Sequence, residues 1–131
     1  MARCEHGAVT KLVFCLRRRD GMSLEEFQRY WRETHAPLVR SHAEALGIRR
    51  YVQVHTRPSP VGDAVSASRG GVEGYDGVAE LWFDSAEAIA TAAATPDGIE
   101  AGAALLEDER RFIDLEHSPL WLAEEHEVIS A

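Results

Sequence analysis

Cysteine is scarce in this chain, and no group of side chains has the spacing of a disulfide or metal framework. The two cysteines among 131 residues, Cys4 and Cys15, match no zinc or redox motif. No His-x-x-x-His or Cys-x-x-Cys pair is present, so no dedicated metal site is predicted. A chain of this length buries roughly two thirds of its unfolded surface without such cross-links. We therefore expect a single domain over residues 1–131, in a reducing cytoplasm.

Long apolar runs and an excess of basic charge are also missing. No segment approaches the roughly 20 apolar residues that cross a bilayer, and the first residues do not resemble a signal peptide. Fourteen basic against 22 acidic residues give a formal net charge of −8, which repels nucleic acids and anionic membranes. The run 17–19, three arginines, is expected to be a solvated strand end; the alternative is a patch that steers anions to a pocket.

Alternation and helical periodicity predict the element order β-α-β-β-α-β. The first half contains strands over residues 11–16 and 50–55, which flank a helix over 24–46 that starts at a Ser23/Glu26 capping box and ends at Gly47. The second half contains a strand over 75–83, an alanine-rich helix from Ser85 that restarts at Thr95-Pro96, and a fourth strand beginning at 112–115. This order predicts an α+β, ferredoxin-like fold, with a four-stranded antiparallel sheet and both helices on one face.

Three further expectations concern segments whose packing is less regular. Residues 57–74 hold two prolines, four glycines and three serines, which predicts a long connection that is either a lid or disordered. Ile99, Ala103 and Leu106 are expected to form the buried stripe of the last helix, and residues from about 119 an extended tail. Because the second sheet face carries aromatic residues, we expect a homodimer in which another copy covers it and the tail straps the contact.

Histidine stands in the apolar stripe of the first helix. At about 100° per residue, His35 and His42 fall on the same face as six apolar residues, Leu24, Phe27, Trp31, Leu38, Ala45 and Leu46. Pro37 has no N–H and is expected to kink the helix, which opens room for a ligand beside His35. His42 is interpreted as structural, and His35 as either a satisfied core residue or a catalyst.

Proton transfer is the chemistry open to such a chain without a cofactor. If the second and third strands are neighbours, Tyr51 and His55 are expected on the same face as Asp76, Glu80 and Trp82. We hypothesise that His35 removes a proton α to a carbonyl, or from a phenol, of a flat apolar ligand. Tyr51 or His55 would donate to the developing oxyanion, and Asp76 would orient a histidine.

The alternative for each of these strand residues is structural. Tyr51 is then a core aromatic, Asp76 caps the turn before Gly77, and Glu80 pairs with an arginine. His117 and His126 are expected at the surface, and His6 in a frayed terminus.

Several motifs together resemble the EthD-domain family of the dimeric α/β-barrel superfamily, from about Lys11 to Ile129. The motifs are Glu26-Phe27 with Tyr30-Trp31, His35-Ala36-Pro37-Leu38, Arg50-Tyr51-Val52-Gln53 with His55, residues 75–83, Phe112-Ile113-Asp114 and Glu124-Glu125. The resemblance implies a dimeric barrel with a pocket in each subunit between sheet and helices. The candidate substrate-binding residues are Phe27, Tyr30, Trp31, Glu80 and Trp82.

The function that the resemblance implies is less specific than the fold. We expect a cofactor-independent lyase, cyclase or isomerase that acts by acid–base catalysis on a small aromatic or polyketide-like molecule. The alternatives are a non-catalytic ligand-binding protein and a cofactor-free or haem monooxygenase.

Overall fold

Four antiparallel strands form one sheet in the computed structural model, which describes residues 9–131. The strands are β1 (Thr10–Leu16), β2 (Arg50–His55), β3 (Gly77–Phe83) and β4 (Leu120–Ala123), in the order β2-β3-β1-β4. Helices follow β1 and β3, so the sheet has the connectivity of the split βαβ unit. The predicted α+β, ferredoxin-like class is confirmed.

The first predicted helix consists of three continuous parts: α1 (Leu24–Tyr30), a π-helical segment (Trp31–His35) and α2 (Ala36–Leu46). Its capping box forms as predicted, because Ser23 Oγ accepts the Glu26 N–H at 3.0 Å and the Glu26 carboxylate accepts the Ser23 N–H at 2.8 Å. Gly47 ends the helix with φ 74°, in the left-handed region that glycine adopts without a steric penalty.

The π-helical segment is where the helix accommodates Pro37. Because Pro37 has no N–H, the carbonyl of Glu33 loses its usual partner four residues on. The preceding turn widens, and the Ala36 N–H donates to the carbonyl of Trp31, five residues back. The predicted kink therefore takes the form of one wide turn, and His35 is its last residue.

An aromatic cluster joins this helix to the end of the last one. Phe27 is fully buried, and its ring centroid lies 5.6 Å from those of both Trp31 and Phe112. Leu16 on β1 completes the contact with the sheet. The wide turn that carries His35 is thus held against the main hydrophobic core.

The remaining helices are α3 (Pro60–Ser68), α4 (Ala86–Ala93) and α5 (Pro96–Glu109). The connection over 57–74 was expected to be either a lid or disordered, and the second alternative was wrong for its middle, which α3 occupies. Ser59 accepts the Val61 N–H at 3.1 Å, and Pro60 stands in the first turn, where a missing N–H costs nothing. No residue of α3 is buried.

The predicted fourth strand was also wrong. Residues 110–112 form the turn after α5, Ile113 makes a single bridge to Arg18, and Leu115–His117 form a short 3-10 helix. The strand that completes the sheet is β4, which lies in the segment expected to be a tail and pairs with β1.

The buried stripe of α5 differs from the expected one. Ile99 is 61% exposed and Leu106 39%, whereas Gly98, Ala101 and Asp108 are buried. The junction with α4 explains the rotation, because a Cβ at residue 98 would overlap the carbonyl of Ala92. Only glycine permits this approach, and it turns Ile99 outward.

None of the helices in residues 9–131 combines the length and the apolar character that a membrane-crossing helix needs.

Candidate active site

A buried histidine–carboxylate pair joins the wide turn to the end of α5. His35 and Asp108 are each 4% exposed, and His35 Nδ1 lies 2.7 Å from Asp108 Oδ2. The second carboxylate oxygen, Oδ1, accepts the Tyr30 hydroxyl at 2.5 Å and the Arg111 guanidinium at 3.2 Å. Both oxygens of this carboxylate therefore accept hydrogen bonds from protein donors, which holds it in one orientation.

The hydrogen bonds set the protonation states of the pair. Burial alone would raise the pKa of Asp108, but the donors Tyr30 and His35 outweigh it, and this pKa lies below its ordinary value. Burial lowers the pKa of His35, although Asp108 opposes the shift. Near neutral pH the carboxylate is thus ionised and the imidazole neutral, with its proton on Nδ1. The lone pair at Nε2 is left to act as a base.

His35 borders a cavity of about 50 Å³ between the helices and the sheet. Most of its walls are apolar, among them Phe14, Val39, Leu81 and Leu105. The titratable side chains that line it, His35, Tyr51 and Glu109, come from three elements, and the indole of Trp31 adds a further hydrogen-bond donor. A cavity of this size holds a water molecule or the reacting end of a ligand, and it is far too small for haem.

Tyr51 belongs to a hydrogen-bonded row along β2. The amide nitrogen of Gln53 donates both to Tyr51 Oη and to the Trp31 carbonyl, at 2.9 Å each. Tyr51 thereby receives a hydrogen bond and has its own proton to donate, since no protein acceptor for it lies within residues 9–131. Burial raises the pKa of Tyr51, so the hydroxyl stays protonated near neutral pH.

His55 ends the same row and lies outside the cavity. Its Nε2 donates to Gln53 Oε1 at 2.8 Å, and its ring stacks on Trp31 with centroids 4.5 Å apart. Burial, helped by the charge of Arg32, lowers the pKa of His55. His55 therefore positions Gln53 and Trp31, and it does not face the space that His35 faces.

Glu109 is the third polar residue of the cavity, and the sequence did not suggest it. Burial raises its pKa to about 7, and the adjacent charge of Asp108 acts in the same direction. A carboxyl with this pKa exchanges a proton readily near neutral pH. Glu109 is thus suited to act as an acid in the same cavity as the base His35.

From the sequence, Tyr51 and His55 were expected on the same sheet face as Asp76, Glu80 and Trp82. This was wrong by one residue in the register between β2 and β3. Tyr51 pairs with Leu81, and His55 with Gly77, so these side chains share the helix-covered face. Residues 76, 80 and 82 point to the opposite face, because side chains alternate along a strand. The groups expected to work together are separated by the thickness of the sheet.

Asp76, Glu80 and Trp82 each have a partner on the sheet face away from the helices. Asp76 accepts both the backbone N–H and the guanidinium of Arg18, at 2.7 Å each. Glu80 lies 3.5 Å from Lys11 Nζ. The indole of Trp82 donates to Glu125 at 2.6 Å, which attaches the C-terminal segment to this face. The residue that orients a histidine is therefore Asp108, and the expectation for Asp76 was misplaced.

The candidate aromatic residues of the first helix take different positions. Phe27 lies in the core, Tyr30 holds Asp108, and Trp31 lines the cavity.

His117 and His126 are exposed, as predicted, and His6 lies outside the described residues. Among residues 9–131 one group has ligand atoms close enough for a metal ion, Asp114, Glu116 and His117, and none of them lines the cavity.

Comparison with known proteins places the chain in a family. Residues 19–116 match the model of the EthD domain, and the chain belongs to the EthD-domain family. Among proteins with curated functions, none matches it in sequence.

Solved structures share the fold at low sequence identity. An EthD family protein of Bacillus halodurans is 22% identical, with a TM-score of 0.60 over 90% of this chain and 99% of its own. An EthD-like protein of Ralstonia eutropha is 18% identical, with a TM-score of 0.58 over 89% of this chain and 91% of its own. SnoaB of Streptomyces nogalater, a cofactor-independent oxygenase, is 14% identical, with a TM-score of 0.56 over 95% of this chain and all of its own (100%).

Proposed function

We propose that this protein is a cofactor-independent enzyme that moves protons on a small aromatic or polyketide-like molecule. One observation carries the proposal: a neutral imidazole, oriented by a buried carboxylate, borders an apolar cavity together with a phenol and a carboxyl of pKa about 7. Groups with well-separated proton affinities around one apolar space are typical of acid–base catalysis.

Each group has a role in the proposed reaction. Nε2 of His35 takes a proton either from a carbon α to a carbonyl, in which case the electron pair moves to the carbonyl oxygen, or from a phenol, in which case the pair remains on the phenol oxygen. Tyr51 donates a hydrogen bond to that oxygen, where the negative charge develops. Asp108 stabilises the imidazolium that forms. Glu109 gives a proton to the product, and proton exchange with water then returns His35 to the neutral form and Glu109 to the acid. Dehydration, cyclisation, isomerisation and decarboxylation of an activated carbonyl compound all proceed through such an enolate.

A second candidate is a cofactor-free oxygenase, in which the deprotonated substrate reacts with oxygen. The structural similarity to SnoaB supports this candidate. Its first step is the same proton removal, so His35 has the same role in both reactions. A protein that binds its ligand without changing it needs the cavity but not the base.

We also propose that two copies pack through the sheet faces that the helices leave uncovered. This face carries partly exposed apolar side chains on all four strands, among them Val13, Val54, Val78 and Trp121. Burial of such a face against its own copy is the usual way to remove it from water. A Thermobifida fusca protein of the same fold, with a TM-score of 0.56, is a dimeric ferredoxin-like protein.

The proposed compartment is the cytoplasm, in keeping with the free thiol of Cys15.

The proposal is tested by proton exchange, which needs no knowledge of the natural substrate. Aryl ketones and naphthols are incubated with the protein in deuterated buffer, and exchange at the α or ring positions is followed by NMR. We expect exchange above background with the wild type, and a roughly 10²- to 10⁴-fold lower rate in His35→Gln. Oxygen uptake with the naphthols identifies the oxygenase.

The controls separate catalysis from binding and folding. His42→Gln, a change of the same residue type on the same helix, is expected to leave exchange intact. Wild-type exchange at the background rate, with ligand binding preserved, supports the non-catalytic alternative. Equal rates in wild type and His35→Gln remove His35 from the mechanism.

A further inference from the structure

A second pocket lies beside the cavity, between α2 and the start of β2. Its volume is about 200 Å³, and it is more open to solvent than the cavity. Val39 and Tyr51 line both spaces, so the outer pocket adjoins the cavity at these two side chains. A molecule seated in this outer pocket is therefore adjacent to the groups that the proposed reaction uses.

The inner surface of the outer pocket is apolar. Ala36, Val39 and Ala43 line it from α2, where their spacing of three and four residues puts them on one side of the helix. Ile48, between α2 and β2, adds a further aliphatic side chain. A flat hydrocarbon ring is the kind of group that such a surface removes from water.

The charged residues of the outer pocket are all basic. Arg40, Arg49 and Arg50 line it, and no acidic residue does so within the described part of the chain. Arg49 pairs with Asp84 at 3.1 Å, and the guanidinium of Arg50 lies 4.5 Å from the ring centroid of Trp82. Arg40 is exposed and makes no ion pair or side-chain hydrogen bond within residues 9–131. A chain with a net charge of −8 thus has an unpaired cation beside its candidate active site.

We propose that the outer pocket binds the carboxylate of a small aromatic acid through Arg40, with the ring on the apolar surface and the reacting end directed past Tyr51 to His35. A guanidinium forms two parallel hydrogen bonds with a carboxylate, which fixes orientation as well as adding affinity. The inference deepens the proposed function, because it names the class of substrate for the same site. It does not depend on turnover, since it concerns binding alone.

The experiment compares 2-naphthoate with its uncharged amide, 2-naphthamide, by calorimetry or ligand fluorescence on the full chain. We expect the wild type to bind the acid about tenfold more tightly than the amide, as one charge-assisted hydrogen-bonded pair provides. In Arg40→Gln this preference disappears, while the affinity for the amide is unchanged. Arg40→Lys recovers only part of it, because an ammonium cannot form the paired bonds.

Arg29→Gln is the matched control, since it removes the same charge from an exposed position on α1 outside the pocket. It is expected to keep the preference for the acid. Equal affinities of the wild type for acid and amide, or no binding of either, overturn the proposal. Equal losses in Arg29→Gln and Arg40→Gln also overturn it, because they mean that net charge alone attracts the ligand.

The same measurement in His35→Gln separates this inference from the proposed function. We expect the variant to bind 2-naphthoate with the wild-type preference. If Arg40 selects the acid but no exchange activity is found, the binding site is retained and the enzymatic proposal fails. If exchange occurs without any preference for the acid, the enzymatic proposal is retained and the proposed role of Arg40 fails.

Discussion

Replacement of Glu109 by glutamine should make the protein more stable above neutral pH and have a much smaller effect at pH 5. The carboxyl has an ordinary pKa of 4.5, which burial and the charge of Asp108 raise to about 7 in the folded protein. A group with a raised folded pKa binds its proton more tightly in the folded state than in the unfolded state. Its contribution to stability is therefore present below about pH 4.5 and is lost as the pH rises through 7.

The size of the effect follows from the same two pKa values. Each pKa unit corresponds to about 1.4 kcal/mol, so the ionised Glu109 lowers the free energy of unfolding by up to about 3 kcal/mol above pH 8. Glutamine has nearly the same shape and no charge, so it avoids this cost. It resembles the protonated acid that is present at pH 5.

The assay is urea unfolding of wild type and Glu109→Gln at pH 5 and pH 8.5, at one protein concentration because a dimer's stability depends on it. The difference between the two proteins isolates Glu109 from the other titrating groups. Glu107→Gln, at an exposed site on the same helix, serves as control and should differ from wild type by less than about 0.5 kcal/mol at both pH values. If the Glu109→Gln difference is the same at pH 5 and pH 8.5, the carboxyl is not held in a buried environment, and its assigned role as an acid is lost.

Three further changes test other parts of the structure. In Asp108→Asn we expect the pKa of His35 to fall further, because the anion that favours the imidazolium is gone. An NMR titration of the ring protons measures this pKa, and an unchanged value contradicts the pairing of His35 with Asp108. Ser23→Ala removes the capping box and should lower the free energy of unfolding by about 1 kcal/mol in urea. Gly98→Ala drives a methyl group into the carbonyl of Ala92 and should cost about 1–3 kcal/mol or more, so a wild-type melting temperature would argue against the tight junction of α4 and α5.

The fold was readable from the sequence wherever a local signal decides the structure. Capping residues set both ends of the first helix, since Ser23 and Gly47 act through bonds to their near neighbours. The fourth strand was misplaced because residues 112–115 and 120–123 are both short apolar segments, and only pairing with β1 distinguishes them. Long-range pairing of this kind leaves no trace in the local pattern.

The helix in residues 57–74 was missed for a different reason. Its composition is that of a loop, and the helix has no buried side that an apolar stripe would reveal. The signal present was Ser59-Pro60, a cap followed by proline in the first turn, which outweighed Gly62 inside the helix and the glycines that follow it. Cap chemistry is thus more informative here than composition.

The candidate site shows where alternation along a strand stops being informative. It places Tyr51 and His55 together, and separately Asp76 with Glu80, but it does not say which of the two sets shares a face with the other. That choice depends on the register between β2 and β3, and a shift of one residue exchanges the faces.

The partner of His35 was recoverable in principle. Ala101, Leu105, Asp108 and Phe112 recur at helical spacing, so a stripe drawn through them brings a carboxylate to the buried side of α5. The charged run 107–111 hides this stripe, because such runs are usually solvated. What distinguishes Asp108 is its set of donors, Tyr30 and Arg111 as well as His35, which together offset the cost of burying its charge. Three donors therefore stabilise the buried carboxylate of Asp108, and Asp108 in turn orients His35. The proposed chemistry of the site depends on this pair.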